Sequence, residues 1–113
     1  MNSFKFQVIN PLLHNELQLK VMVALDSLAS ADFMYLCRIT DSTRGNLSVQ
    51  ISTLKGAGYL SVSKTGLGRM SCTRCSITAK GREALRAYED GLRRLFTEGV
   101  PASDDTREEM GVG

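Results

Sequence analysis

At Gly58 a helical pattern gives way, without a spacer, to a strand pattern, and few folds accept so abrupt a change. Upstream, Leu47, Ile51 and Leu54 recur at spacings of three and four between Arg44 and Ala57, the stripe of a helix with one buried face. Glycine at the joint supplies the positive φ that a helix C-terminus favours. Downstream, Tyr59-Leu60-Ser61-Val62-Ser63-Lys64 alternates as a half-buried strand does. Gly66-Leu67-Gly68 offers a flexible turn, and Cys72 to Ile77 can return as the paired strand. Thr78 then caps a last helix, in which Leu85, Tyr88, Leu92 and Leu95 repeat at helical spacing. The order helix, hairpin, helix predicts an α+β chain that is mainly helical.

Residues 10–43 add two more helices. Asn10-Pro11 is a start signal, because Asn caps with its side chain and Pro tolerates the first helical position. The helix is expected to run to about Ala29. Leu13, Leu17, Val21, Ala24 and Leu28 form one stripe, while Leu12, Leu19, Met22 and Val23 fall on the opposite side. A helix that is apolar on both sides must be buried on both sides. The 113 residues suit one domain, so the second side is expected to meet another copy of the chain. Asp32 can open a short second helix carrying Phe33, Met34, Leu36 and Cys37 to near Ile39. Thr40-Asp41-Ser42-Thr43 is a polar break that also caps the third helix. Beyond Phe96 the pattern dissolves, so 1–96 reads as the folded unit and 97–113 as a flexible acidic tail.

Composition excludes several classes. No apolar run approaches the ~20 residues needed to span a bilayer, and Met1 to Asn10 lacks the basic start and apolar core of a secretory signal. Three cysteines, an odd number, do not read as a disulfide framework. A cytoplasmic chain without a membrane partner is expected. The single histidine, His14, leaves little for His-based catalysis, and neither Gly56-Ala57-Gly58 nor Gly66-Leu67-Gly68 continues into a phosphate or dinucleotide loop. No enzyme activity and no cofactor are expected. Cys72-Thr73-Arg74-Cys75 is a lone pair of thiols, and positions three apart on a strand face opposite ways. Zinc normally needs four ligands, so no metal site is expected and the cysteines read as small buried hydrophobes.

Two short helices joined by a tight turn, then a hairpin with a basic, Gly-rich tip, suggest a winged helix-turn-helix: a three-helix core, a β-hairpin wing and a flanking dimerisation helix. The chain resembles the winged-helix transcriptional regulators of the MarR/ArsR-like group, bacterial and archaeal. The matching residues are Asn10-Pro11-Leu12-Leu13-His14, Gly45-Asn46-Leu47-Ser48-Val49-Gln50, Leu54, Gly56-Ala57-Gly58-Tyr59-Leu60, Lys64 and Thr78-Ala79-Lys80-Gly81-Arg82. The resemblance covers about residues 9–96. It implies a homodimeric regulator that binds double-stranded DNA, with a small-molecule effector in some relatives. There are departures: the wing loop carries only Arg69, and the second helix ends in Cys37-Arg38 where Leu-Gly is usual. Metal-sensing relatives place a Cys-x-Cys near Cys37, but Ile39 occupies the second position here.

The residues support the same reading independently. With Leu47, Ile51 and Leu54 inward, Asn46, Val49 and Thr53 turn outward, with Gln50 at the edge of that face. Asn and Gln pair with adenine in the major groove, and Val can touch a thymine methyl. An ordinary solvated face suits Asn, Gln and Thr equally, but it usually mixes Glu with Lys and seldom exposes Val. Ser42, Thr43 and Arg44 stand at the helix N-terminus, where free N–H groups favour an anion. Lys64, Arg69 and Arg74 flank the hairpin as further phosphate contacts, whereas Arg82 and Arg86 are expected on the solvated side of the last helix. Leu12, Leu19, Val23, Leu92 and Leu95 are the expected dimer contacts, and His14 a packing residue.

The net charge of +2 conceals a division. From Arg38 to Arg86 there are nine bases against Asp41 and Glu83. Residues 97–113 carry five acids and only Arg107 as a base. A sequence-specific repressor on a pseudo-palindromic operator is the expected function. The competing readings are a winged-helix protein-interaction module that never touches DNA, and a thiol- or metal-responsive variant of the regulator.

Overall fold

The computed structural model describes residues 10–66 and 72–98. The elements run α1 (Glu16–Leu28), β1 (Ser30–Asp32), α2 (Phe33–Thr40), α3 (Arg44–Gly56), β2 (Leu60–Thr65), β3 (Cys72–Ile77) and α4 (Ala79–Glu98). Helices and hairpin match the expected winged-helix class.

The first helix starts later than its sequence predicts. Asn10 Oδ1 accepts from the Leu12 and Leu13 amides, and the His14 amide reaches Asn10 O at 2.9 Å, which makes one isolated turn. Asn15 then caps α1 by accepting from the Gln18 amide at 2.9 Å. Asn15 is as good a cap as Asn10, and it resets the helix. The buried arc of α1 is Gln18, Val21, Met22 and Leu25. Met22, expected on the outer side, is therefore a core residue, while Leu28 is 45% exposed. The inward face is rotated by about one residue from the expected stripe.

Residues of positive φ turn the chain on either side of α3. Asp41 (φ 55, ψ 50) closes α2, with its own amide on Arg38 O at 3.2 Å and the Ser42 amide on Cys37 O at 3.1 Å. Asp tolerates this conformation where most residues do not, and α2 runs on past Cys37-Arg38, the expected end, to Thr40 before Asp41 closes it. Gly58 (φ 85) turns α3 into β2 as expected.

The expected two-stranded hairpin is a three-stranded antiparallel sheet, ordered β1-β3-β2. Ala31 pairs with Cys75, and Val62 faces Cys75 from the other side. A strand of this length is too short to reveal alternation. The core joins Leu13, Val21, Met22 and Leu25 to Leu36, Leu47, Ile51, Leu54, Leu60, Cys75, Leu85 and Tyr88.

The sequence motifs around Gly58 and Thr78 meet in space. Thr78 Oγ1 donates to Gly58 O at 2.6 Å and accepts from the Gly81 amide at 2.9 Å, while the Thr78 amide donates to Tyr59 O at 3.0 Å. The start of α4 is thereby fastened to the start of β2. The N-terminal turn is held by Asn10 Nδ2 donating to Tyr59 Oη at 2.9 Å and by His14 Nδ1 with Tyr88 Oη at 3.0 Å. Arg82 and Arg86 are not simply solvated: both donate to Asp26, at 2.8 and 2.9 Å, and tie α4 to α1.

Candidate nucleic-acid interface

Leu47 and Leu54 are fully buried and Ile51 nearly so, which fixes the rotation of α3 about its axis. Asn46, Val49 and Thr53 consequently stand exposed on the other side, Val49 at 60%. No carboxylate lies on this helix. Thr53 Oγ1 donates to Val49 O at 3.1 Å, so its hydroxyl is turned back on the helix. Gln50 is only half-exposed, because its Oε1 accepts from Gln18 Nε2 at 2.6 Å. The α1–α3 link through Gln18 is a contact that sequence reasoning missed: an amide within an apolar helix pattern gives no signal of its partner.

At the N-terminus of α3, Thr43 Oγ1 accepts from the Asn46 amide at 3.1 Å. Ser42 Oγ is 2.8 Å from Thr40 Oγ1, which donates to Leu36 O at 2.6 Å. These hydroxyls shape the turn. Arg44 is exposed in the first turn, where no acid balances it. A cation at the positive end of a helix dipole is unfavourable unless an anion joins it. Gly45 beside it leaves open space where a side chain would stand.

The two cations flanking the hairpin lie on different faces. Lys64 pairs with Thr73, and Arg74 with Ser63. Directly opposed residues share a face and neighbours alternate, so Lys64 and Arg74 point opposite ways. Lys64 lines a cleft of about 320 Å³ with Phe33, Ile51, Lys55 and Val62, beside α3. Arg74 Nε donates to Ser30 Oγ at 3.2 Å, across β1 and away from that cleft. Arg69, the expected wing-tip contact, lies outside the described residues.

Cys72 and Cys75 diverge as the strand geometry requires: Cys75 is fully buried and Cys72 exposed. Exposure of Cys72 departs from the expectation of buried thiols. Its Sγ donates to Asp32 Oδ1 at 2.8 Å, while Asp32 Oδ2 caps α2 through the Met34 and Tyr35 amides. The bond to the carboxylate pushes the Cys72 thiol above its ordinary pKa and holds Asp32 below the usual carboxylate range. Burial pushes Cys75 up. In the native protein a thiol reagent at pH 8 is expected to modify Cys72 first, more slowly than free cysteine, and Cys37 and Cys75 only on unfolding. Asp32→Asn should speed the Cys72 reaction severalfold, since the thiolate is the reacting species. Equal native reactivity of all three thiols would contradict this burial pattern.

Of the expected dimer contacts, Leu12, Leu19, Leu92 and Leu95 are half-buried and Val23 is 51% exposed. Leu19 and Val23 stand one turn apart on α1, a helical spacing that puts them on one face. Phe96, near the end of α4, is 82% exposed. The helix runs two residues past Phe96, to Glu98, and the rest of the expected tail lies outside the described residues. Among those residues no helix is long and apolar enough to cross a membrane.

Comparison with known proteins agrees with this geometry. The chain aligns over 87% of its length with 97% of a transcriptional regulator homologue from Pyrococcus horikoshii OT3, at 24% identity and TM-score 0.76. It aligns with AbsC, a MarR family transcriptional regulator from Streptomyces coelicolor, at 20% identity and TM-score 0.56, covering 84% of this chain and 68% of that one. BpsR from Bordetella bronchiseptica, whose DNA binding is regulated by 6-hydroxynicotinic acid, matches at 16% identity and TM-score 0.60 over 85% and 74%. No curated protein matches the sequence. The family model described as a winged helix DNA-binding domain matches residues 17–96. The capped turn before α3, the glycine-jointed hairpin and the outward polar face of α3 are thus those of a protein that belongs to the winged helix DNA-binding domain family, with the fold of the MarR-like regulators.

Proposed function

We propose that this chain is a sequence-specific, double-stranded DNA-binding regulator of transcription that acts as a homodimeric repressor. The observation that carries the reading is the outer face of α3, where Asn46 and Val49 stand exposed on a helix without a carboxylate. Asn46 and Val49 read base edges, with Gln50 and Thr53 beside them. Ser42, Thr43 and Arg44 meet phosphate at the helix N-terminus, joined from the wing by Lys64 and Arg69, whereas Arg74, expected with them, faces the other side of the sheet and is left out of this surface. Residues 1–96 form the binding and dimerisation unit, with the acidic segment 97–113 appended.

Leu12, Leu19, Val23, Leu92 and Leu95 meet their counterparts in a second copy. The two α3 helices then enter successive major grooves about 34–36 Å apart on a pseudo-palindromic site. A small-molecule effector, as in BpsR, would act by favouring a dimer whose heads no longer match that spacing. The protein works in the cytoplasm and binds DNA without a cofactor.

Duplexes selected by the protein from a random pool supply the test. Asn46→Ala is expected to cost about 1–3 kcal/mol of discrimination at one base pair. Arg44→Ala should weaken selected and scrambled duplexes alike and make binding less salt-dependent. An unchanged base preference in Asn46→Ala would contradict the assignment of α3.

A further inference from the structure

Gln18 lies on the core side of α1 with Val21, Met22 and Leu25, and is 5% exposed. An apolar side chain would pack there without an amide to satisfy. The glutamine is only half satisfied: Nε2 donates to Gln50 Oε1 at 2.6 Å, whereas Oε1 is buried with no partner among the described residues. The arrangement is therefore a poor solution for stability alone. Its product is order at the surface. Gln50 Nε2 points along α3 to Asn46 Oδ1 at 3.4 Å, so a chain of amides runs from the core to the exposed face.

The chain has a direction. Gln50 Oε1 is taken by Gln18, so its NH₂ group is turned to Asn46, and Asn46 Oδ1 faces along the helix with its NH₂ group left to donate outward. A carbonyl oxygen accepts twice, so Asn46 still presents both a donor and an acceptor, the pair that adenine requires. Exposed amides on a helix are otherwise free to rotate, and ordering them before a ligand arrives favours binding of the matching partner.

We propose that Gln18 is a positioning residue for base recognition: it never touches DNA, and holds Gln50 and, through it, Asn46 in one amide orientation. The proposal rests on the reading of α3 as the helix that meets the bases. It also places part of the specificity on α1, the helix assigned to the dimer contact.

Gln18→Met keeps the length and packing of the side chain and removes both amide atoms. On duplexes selected by the unaltered protein, this variant should discriminate about three- to tenfold less at the base pair that Asn46→Ala identifies, the span of one net hydrogen bond. Its salt dependence and its affinity for scrambled duplex should not change. In a Gln50→Met background the same substitution should add nothing, because the relay is already cut. The unaltered protein gives a second readout: by NMR the Gln18 side-chain amide protons should exchange slowly, and Gln50→Met, a change at the surface, should release them. Full discrimination in Gln18→Met while Asn46→Ala loses it, or unprotected Gln18 amide protons, would overturn the proposal and leave the role of α3 intact. Unchanged base preference in Asn46→Ala would instead remove the reading on which it rests.

Discussion

Gly81→Ala is expected to lower the melting temperature by roughly 8–16 °C, although alanine is the better helix former. Gly81 lies in the first turn of α4, buried against the backbone of Tyr59. A Cβ there would sit 3.0 Å from the Tyr59 carbonyl carbon and 3.1 Å from its Cα, and closer still to its oxygen. The neighbour is backbone, held by the Thr78 amide on Tyr59 O at 3.0 Å, so no rotamer change relieves the clash. Overpacking of this kind costs about 3 kcal/mol. The gain in helix propensity offsets about 1 kcal/mol, and the remaining ~2 kcal/mol gives the stated shift at 4–8 °C per kcal/mol. A thermal melt unchanged or raised would mean that α4 does not pack on the start of β2 in this way. Gly58, at the joint of α3 and β2, has a different reason to be glycine, its φ of 85°.

Leu54→Ala is expected to cost about 2–5 kcal/mol, the usual penalty for emptying a fully enclosed leucine site. Leu54 is 0% exposed and sits in the cluster that joins α3 to the rest of the core. Val49→Ala on the same helix should stay within about 0.5 kcal/mol, because Val49 is 60% exposed. The contrast is a test of the rotation of α3. Denaturant melts that rank the two variants equally would mean that Val49 faces the core and cannot face a partner. In DNA binding the order should reverse: folded Leu54→Ala protein keeps its base preference, while Val49→Ala loses contact with one thymine methyl.

Much of this fold was legible because its punctuation is local. Asp32, Thr43 and Thr78 cap the helices expected of them, and β3 begins and ends at the expected residues. Helix caps and alternation depend on neighbours in sequence, so the sequence carries them. What was hidden depends on partners far along the chain. The strand β1 exists because Ala31 pairs with Cys75, a relation that no run of three residues can signal. The rotation of α1, which buries Met22 and Gln18, is set by what packs against it. Arg82 and Arg86 looked like solvent-facing cations and are committed to Asp26, 56 and 60 positions away.

The candidate site divides along the same line. Asn46, Val49 and Thr53 follow from helical rotation once Leu47, Ile51 and Leu54 are placed inward. Lys64 and Arg74 appeared equivalent in sequence, yet strand register sends one toward α3 and the other across β1 to Ser30. Gln50 shows the limit most plainly. Its position at the edge of the outward face was expected, but its tie to Gln18 required the tertiary contact between α1 and α3.

On the proposed reading, α3 and the wing form a surface that reads duplex DNA. Titrating the unaltered protein onto its selected duplex and onto a scrambled one, at several salt concentrations, tests it most directly. The expected result is a clear preference for the selected duplex and a steep, linear fall of log affinity with log salt, with a slope of roughly −0.9 for each phosphate contacted. Equal affinity for both duplexes together with a flat salt dependence would contradict it.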